Sequence, residues 1–141
     1  MPSVPLVDLQ GGALDPQELR SGHLLLLVAN TECGYCLRDV KFLNQLAEQY
    51  GDRVRFVVLL DSFPKDIATS RELYADRFEF YNERWTVVPN AQKHVRRLWK
   101  KRMWPQYFFF ADGKFKRHYI YPNAETYQQL KDYLCALPCE H

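Results

Sequence analysis

The chain of 141 residues has no apolar run approaching the roughly 18 residues that a membrane-spanning helix requires, so no span of that kind is expected in it. Charge of one sign is also missing: 19 Lys and Arg against 17 Asp and Glu leave a formal net charge of +2. That balance calls for neither a nucleic acid nor a membrane surface as partner. There is no internal repeat, low-complexity segment or dividing linker, and residues 1–141 read as a single domain. Histidine is sparse, and His23, His118 and His141 stand without a ligand constellation, so no metal site is assigned. Cysteine is sparse too, but its four residues fall as two close pairs, Cys33 with Cys36 and Cys135 with Cys139. Such usage fits an oxidising compartment, or a redox enzyme in a reducing one. The opening Met1-Pro2-Ser3-Val4-Pro5 lacks the basic start and long apolar middle of a leader, so an exported protein would have lost its leader from this chain.

Hydrophobic residues make up 47% of the chain, enough for a core that needs no metal staple. Val4 to Leu9 reads as a short strand, and Asp15-Pro16-Gln17-Glu18-Leu19 as a helical turn capped by Asp15. Leu24 to Ala29 shows no polar alternation, as expected of a strand covered on both faces. Cys33 and Cys36 follow directly, where helical periodicity begins: Leu37, Val40, Leu43, Leu46, Ala47 and Tyr50 recur at steps of three and four, and Gly51 ends the pattern. Arg53 to Leu60 is a second buried strand, followed by a helix near residues 65–77 and a strand within Phe80–Val88. Asn90 caps a basic helix with Val95, Leu98 and Trp99 on its apolar stripe. Tyr107–Phe110, the turn Ala111-Asp112-Gly113-Lys114 and Phe115–Tyr121 form a hairpin, and a closing helix runs from about Glu125 to Leu137.

Two residues between thiols at a helix start permit a reversible disulfide, and the unpaired N–H groups and dipole there favour a thiolate. A fixed disulfide, or half of a four-cysteine zinc site completed by Cys135 and Cys139, is the alternative reading of the same spacing. The second pair reads as a local disulfide, as free thiols or as a further redox couple. The run Lys93, His94, Arg96, Arg97, Lys100, Lys101 and Arg102 is a solvated face or a surface that steers acidic partners; no nucleic-acid motif accompanies it.

The order of these elements, with Cys33-Gly34-Tyr35-Cys36 at a helix start and Trp104-Pro105 before the hairpin, resembles the thioredoxin superfamily. Pro5-Leu6-Val7-Asp8-Leu9, Leu19, Gly22 and Asp112-Gly113-Lys114 are similar more narrowly to its TlpA-like branch. The resemblance implies an α/β fold: a central mixed sheet flanked by helices, with a helix–strand–helix insertion at about 62–102 between the CxxC half and the hairpin. It implies a thiol-disulfide oxidoreductase in which Cys33 is the exposed nucleophile and Cys36 the resolving thiol. The redox-active disulfide then needs no further cofactor. Pro105 takes the place of the family's cis-proline, so that Gly34, Tyr35, Trp104 and Pro105 would bind substrate.

Asp39 matches the acidic residue that follows the motif in many TlpA-like proteins and would relay a proton to the resolving thiol; a merely solvated carboxylate is the alternative. Glu32 stands where the family usually has tryptophan; it adds negative charge beside Cys33 and is a second candidate for proton transfer. Leu27 appears at the strand position where thioredoxin itself keeps a buried acid. Implied partners are protein thiols or disulfides and an upstream electron-transfer protein. The expected form is an exported or periplasmic monomer, with a cytoplasmic one as the other possibility. Val28 to Tyr35 also faintly resembles a glutathione-peroxidase segment, which makes a thiol peroxidase the runner-up, and a redox-inert binding or assembly module is a third reading.

Overall fold

Residues 12–30, 36, 38–60, 84–88, 105–120 and 124–137 are described by the computed structural model. Among them five strands form one sheet: β1 (His23–Ala29), β2 (Val54–Leu60), β3 (Trp85–Val88), β4 (Gln106–Ala111) and β5 (Lys114–Ile120), in spatial order β3-β2-β1-β4-β5. β1 runs parallel to β2 and β2 parallel to β3, whereas β4 is antiparallel to β1 and β5 to β4. The sheet is therefore mixed, as expected. Three helices accompany it in the described residues: α1 (Pro16–Leu19), α2 (Val40–Tyr50) and α3 (Ala124–Ala136).

The unbroken apolar run of β1 has its cause in this arrangement. Leu25, Leu27 and Ala29 point into one core cluster with Leu43, Leu46 and Ala47 of α2 and Leu130 and Leu134 of α3. Leu24, Leu26 and Val28 point the other way, into a second cluster with Leu14 and Leu19 at α1. With period-two side chains and both faces covered, no position remains for a polar residue. Each leucine so enclosed contributes on the order of 1.5–3 kcal/mol. β2 repeats the pattern, with Phe56, Val58 and Leu60 on the first side and Val57 and Leu59 on the second.

β3 is the described part of the expected insertion. It joins the sheet as the edge next to β2, from Phe56↔Trp85 to Leu59↔Val88, and the Phe56 and Trp85 rings meet edge-on at 5.0 Å. The helices expected near residues 65–77 and after Asn90, the basic run within the latter, and the strand expected at residues 4–9 lie outside the described residues.

The hairpin turns as its Asp-Gly pair demands: Asp112 (φ 51°) and Gly113 (φ 80°) both hold positive φ. Its tip is tied down. The Asp112 amide donates to the Gly22 carbonyl at 2.8 Å, and the Gly22 amide donates back to Asp112 Oδ1 at 2.9 Å.

Two local expectations change. The helix read as continuous from Cys36 to Tyr50 is interrupted at Asp39, a turn residue that keeps a right-handed backbone (φ −93°, ψ −4°) and caps α2, which begins at Val40. Gly51 ends α2 without a left-handed conformation (φ −60°). A β-carbon there would lie 2.5 Å from the Ala47 carbonyl oxygen, so close approach of backbone, not positive φ, is what glycine supplies.

Candidate active site

Cys36 is helical and 2% exposed, in the same core cluster as Leu27, Ala29 and Leu43. It follows β1 by seven residues and shares a core cluster with Ala29, the last residue of that strand. Pro105, also buried, immediately precedes β4. The β1–β4 ladder ends with Val28↔Gln106, and its next step would set Pro105 opposite Ala29. The sheet thus brings Pro105 to the Ala29 end of β1, and Ala29 shares its core cluster with Cys36. Cys33, Gly34, Tyr35, Glu32 and Trp104 lie outside the described residues, as does the peptide bond that joins Trp104 to Pro105.

Asp39 is 4% exposed, which removes the reading of a solvated helix carboxylate. Its side chain, three residues beyond Cys36 and just before α2, is turned toward the interior, where two groups meet it. Arg38 Nε donates to Oδ1 at 2.9 Å, and Arg38 Nη2 approaches Oδ2 at 3.4 Å. From β4, the Tyr107 hydroxyl donates to Oδ2 at 3.4 Å. Arg38 Nη2 also donates to the Tyr127 hydroxyl of α3 at 3.2 Å.

The arginine side chain is half exposed, so its charge stays in contact with water while its carboxylate partner is enclosed. The hydrogen bonds that the guanidinium donates to Asp39 hold it charged, with its pKa well above the ordinary range. Tyr127 is pushed up to about 12, first by desolvation and then by Asp39, with Arg38 opposing. The buried Asp39 carboxylate, three residues beyond Cys36, thus accepts from the Arg38 guanidinium and the Tyr107 hydroxyl.

Arg38, Tyr107 and Tyr127 were not singled out by sequence reasoning. A signal existed for two of them. Tyr107 stands two residues after Pro105 and therefore shares its face of β4, and a tyrosine on the buried stripe of a closing helix needs a polar partner for its hydroxyl. For Arg38 there was none.

Leu27 is buried beside Cys36 in the same cluster, as expected for the strand position without an acid. Cys135 is exposed in the last turn of α3, eight residues beyond Tyr127 and so about 12 Å along the helix. Buried Cys36 and exposed Cys135 are not brought together, and Cys139 lies outside the described residues. His118 stacks on Phe108 at 4.3 Å and shares a 3.0 Å hydrogen bond with Gln106, and desolvation lowers its pKa. It packs on the opposite face of β4 from Tyr107.

A mixed sheet in the order β3-β2-β1-β4-β5, with buried, helical Cys36 after β1 and buried Pro105 before β4, decides the architecture. The fold is that of thioredoxin. Solved thioredoxin-like structures superpose on almost the whole chain. A protein from Chlorobium tepidum described as a thiol:disulfide interchange protein DsbE matches with a TM-score of 0.74 at 17% identity, over 96% of this chain and 92% of that one. A secreted disulfide oxidoreductase from Mycobacterium tuberculosis, homologous to DsbE of Escherichia coli, gives 0.69 at 18%, over 95% and 96%. The exposed lipoprotein thioredoxin Etrx1 from Streptococcus pneumoniae gives 0.71 at 15%, over 95% and 98%. By sequence alone, no protein-family model and no curated protein matches the chain. The thioredoxin fold is therefore carried by its sheet and core pattern at identities where few individual side chains are shared. Among the described residues no helix is long and apolar enough to cross a membrane.

Proposed function

We propose that the protein is a thiol-disulfide oxidoreductase that exchanges electrons with the cysteines of exported proteins through the Cys33–Cys36 couple. The observation that carries this reading is the buried Asp39 carboxylate one turn beyond buried Cys36, at the sheet end where Pro105 stands. A fold shared with a secreted disulfide oxidoreductase and with an exposed lipoprotein thioredoxin supports it.

In the reducing direction the Cys33 thiolate attacks one sulfur of a client disulfide, forming a mixed disulfide and expelling the client's other sulfur as a thiolate. Cys36 gives its proton to Asp39 and attacks the Cys33 sulfur. The Cys33–Cys36 disulfide closes, the second client sulfur leaves as a thiolate, and the client has gained two electrons. An upstream electron-transfer protein restores the dithiol. The oxidising direction is the same sequence reversed, and the reduction potential of the couple sets which prevails.

In this reading Gly34, Tyr35 and Trp104 line the client groove with Pro105, whose preceding peptide bond is cis, and Glu32 modulates the charge beside Cys33. Cys135, a free and exposed thiol, takes no part in the reaction. The chain acts as one domain and as a monomer. The test is insulin reduction by the wild type and by Cys33→Ser: turnover confined to the wild type is expected, and equal turnover rejects the assignment.

A further inference from the structure

The thioredoxin reaction makes no use of the opposite end of the sheet. Where β1, β2 and β3 begin, a cleft of about 420 Å³ opens to solvent, within the range of small-molecule sites. Its walls include His23, Arg53, Arg55, Arg84 and Thr86, with Asp52 at the rim. Three arginines thus stand against one carboxylate among the lining residues. They reach the cleft from two neighbouring strand starts, with Arg53 and Arg55 at β2 and Arg84 at β3.

Their ion pairs within the protein are solvent-accessible. Arg84 Nη1 lies 3.9 Å from Asp52, whose side chain is fully exposed, and Arg55 Nη1 lies 2.9 Å from the exposed Glu18. Arg53 has its guanidinium carbon 6.0 Å from the Tyr50 ring centroid. Pairs so exposed hold their partners weakly and exchange readily for a better anion. In addition, Nδ1 of His23 is enclosed with no hydrogen-bond partner among the described residues. A buried polar atom left in that condition is uncommon.

We propose that this cleft binds a phosphate-bearing small molecule, its diphosphate or similar multiply charged group held by Arg53, Arg55 and Arg84. Guanidinium forks grip phosphate oxygens in pairs, and an excess of positive groups calls for several negative charges on one compact ligand. A lone carboxylate offers only one. β1 separates this cleft from the cysteine turn by seven residues, about 23 Å of extended chain, so the ligand and a protein client can be bound together.

The experiment is calorimetric titration of the full chain with inorganic pyrophosphate in about 0.15 M sodium chloride, where weak surface attraction is largely screened. Saturable one-to-one binding is expected. Arg53→Gln and Arg84→Gln should each weaken it by about tenfold or more, the loss of one charge-assisted contact. Asp52→Asn, which removes the competing carboxylate, should tighten it. Insulin reduction should stay at the wild-type rate in all three. Absence of saturable binding to the wild type overturns the proposal, as does full affinity in the Arg53→Gln/Arg84→Gln double variant or weaker binding in Asp52→Asn. Because Asp52→Asn is predicted to gain affinity, a fold-damaging variant cannot mimic the expected pattern.

Discussion

The Tyr107 hydroxyl reaches Asp39 Oδ2 at 3.4 Å and so ties the strand that begins after Pro105 to the turn that carries Cys36. Two chain segments 68 residues apart are held at one end of the sheet by a carboxylate that is itself buried. Stability and thiol chemistry therefore meet in the same side chain.

Replacing that carboxylate separates the two roles. Asp39→Ala removes the 3.4 Å carboxylate acceptor of the fully buried Tyr107 hydroxyl, while half-exposed Arg38 keeps its bond to Tyr127. The expected cost is about 1–3 kcal/mol, read from the urea midpoint. Asp39→Asn keeps an oxygen acceptor and should lose less stability. It cannot take up the proton of Cys36 in the same way, and closure of the disulfide should slow by about tenfold or more, with a changed pH profile. An Asn variant that closes the disulfide at the wild-type rate would remove Asp39 from the proton path.

Tyr127 gives a pH dependence of definite sign. Its folded-state pKa is raised to about 12 from an ordinary value of 10.0, so the folded protein keeps a proton that the unfolded chain releases first. The corresponding stabilisation is complete below pH 10.0 and fades as the pH rises toward 12. Tyr133, also raised by desolvation, acts in the same direction. Urea midpoints measured on either side of this window should fall for the wild type and fall less for Tyr127→Phe. An identical decline in both would show that Tyr127 does not carry the effect.

Gly51→Ala sets two effects against each other. The backbone at Gly51 is already right-handed, so alanine would ordinarily gain about 0.4–1 kcal/mol by restricting the unfolded chain. Against this stands a β-carbon 2.5 Å from the Ala47 carbonyl oxygen, a backbone atom that cannot swing aside. Overpacking of that kind costs about 1–3 kcal/mol, so the net change should be destabilising. A higher urea midpoint in the variant would mean that the end of α2 relaxes freely.

How much of this was legible in the sequence depended on whether the signal was local. The double-sided burial of β1 and β2 was written in their unbroken apolar runs, and the Asp112-Gly113 turn in a dipeptide that tolerates positive φ. The break at Asp39 was not legible. Leu37, Val40 and Leu43 keep helical spacing straight through it, and what turns Asp39 inward is the encounter with Arg38 and Tyr107, a tertiary relation across 68 residues in the second case. The same holds for the three arginines at the base of the sheet. Arg53 and Arg55 looked like the flank of a strand until the parallel pairing of β2 with β3 brought Arg84 beside them.

The division of labour between the two thiols is tested most directly by trapping. In a background lacking Cys135 and Cys139, reduced Cys36→Ser and Cys33→Ser variants are mixed with a disulfide-containing client and the adducts are resolved by mass spectrometry. The account predicts a mixed disulfide on Cys33 that accumulates in Cys36→Ser, where nothing resolves it, and none in Cys33→Ser, whose remaining thiol is 2% exposed. Adducts of equal yield in both variants, or adducts only on Cys36, would contradict it.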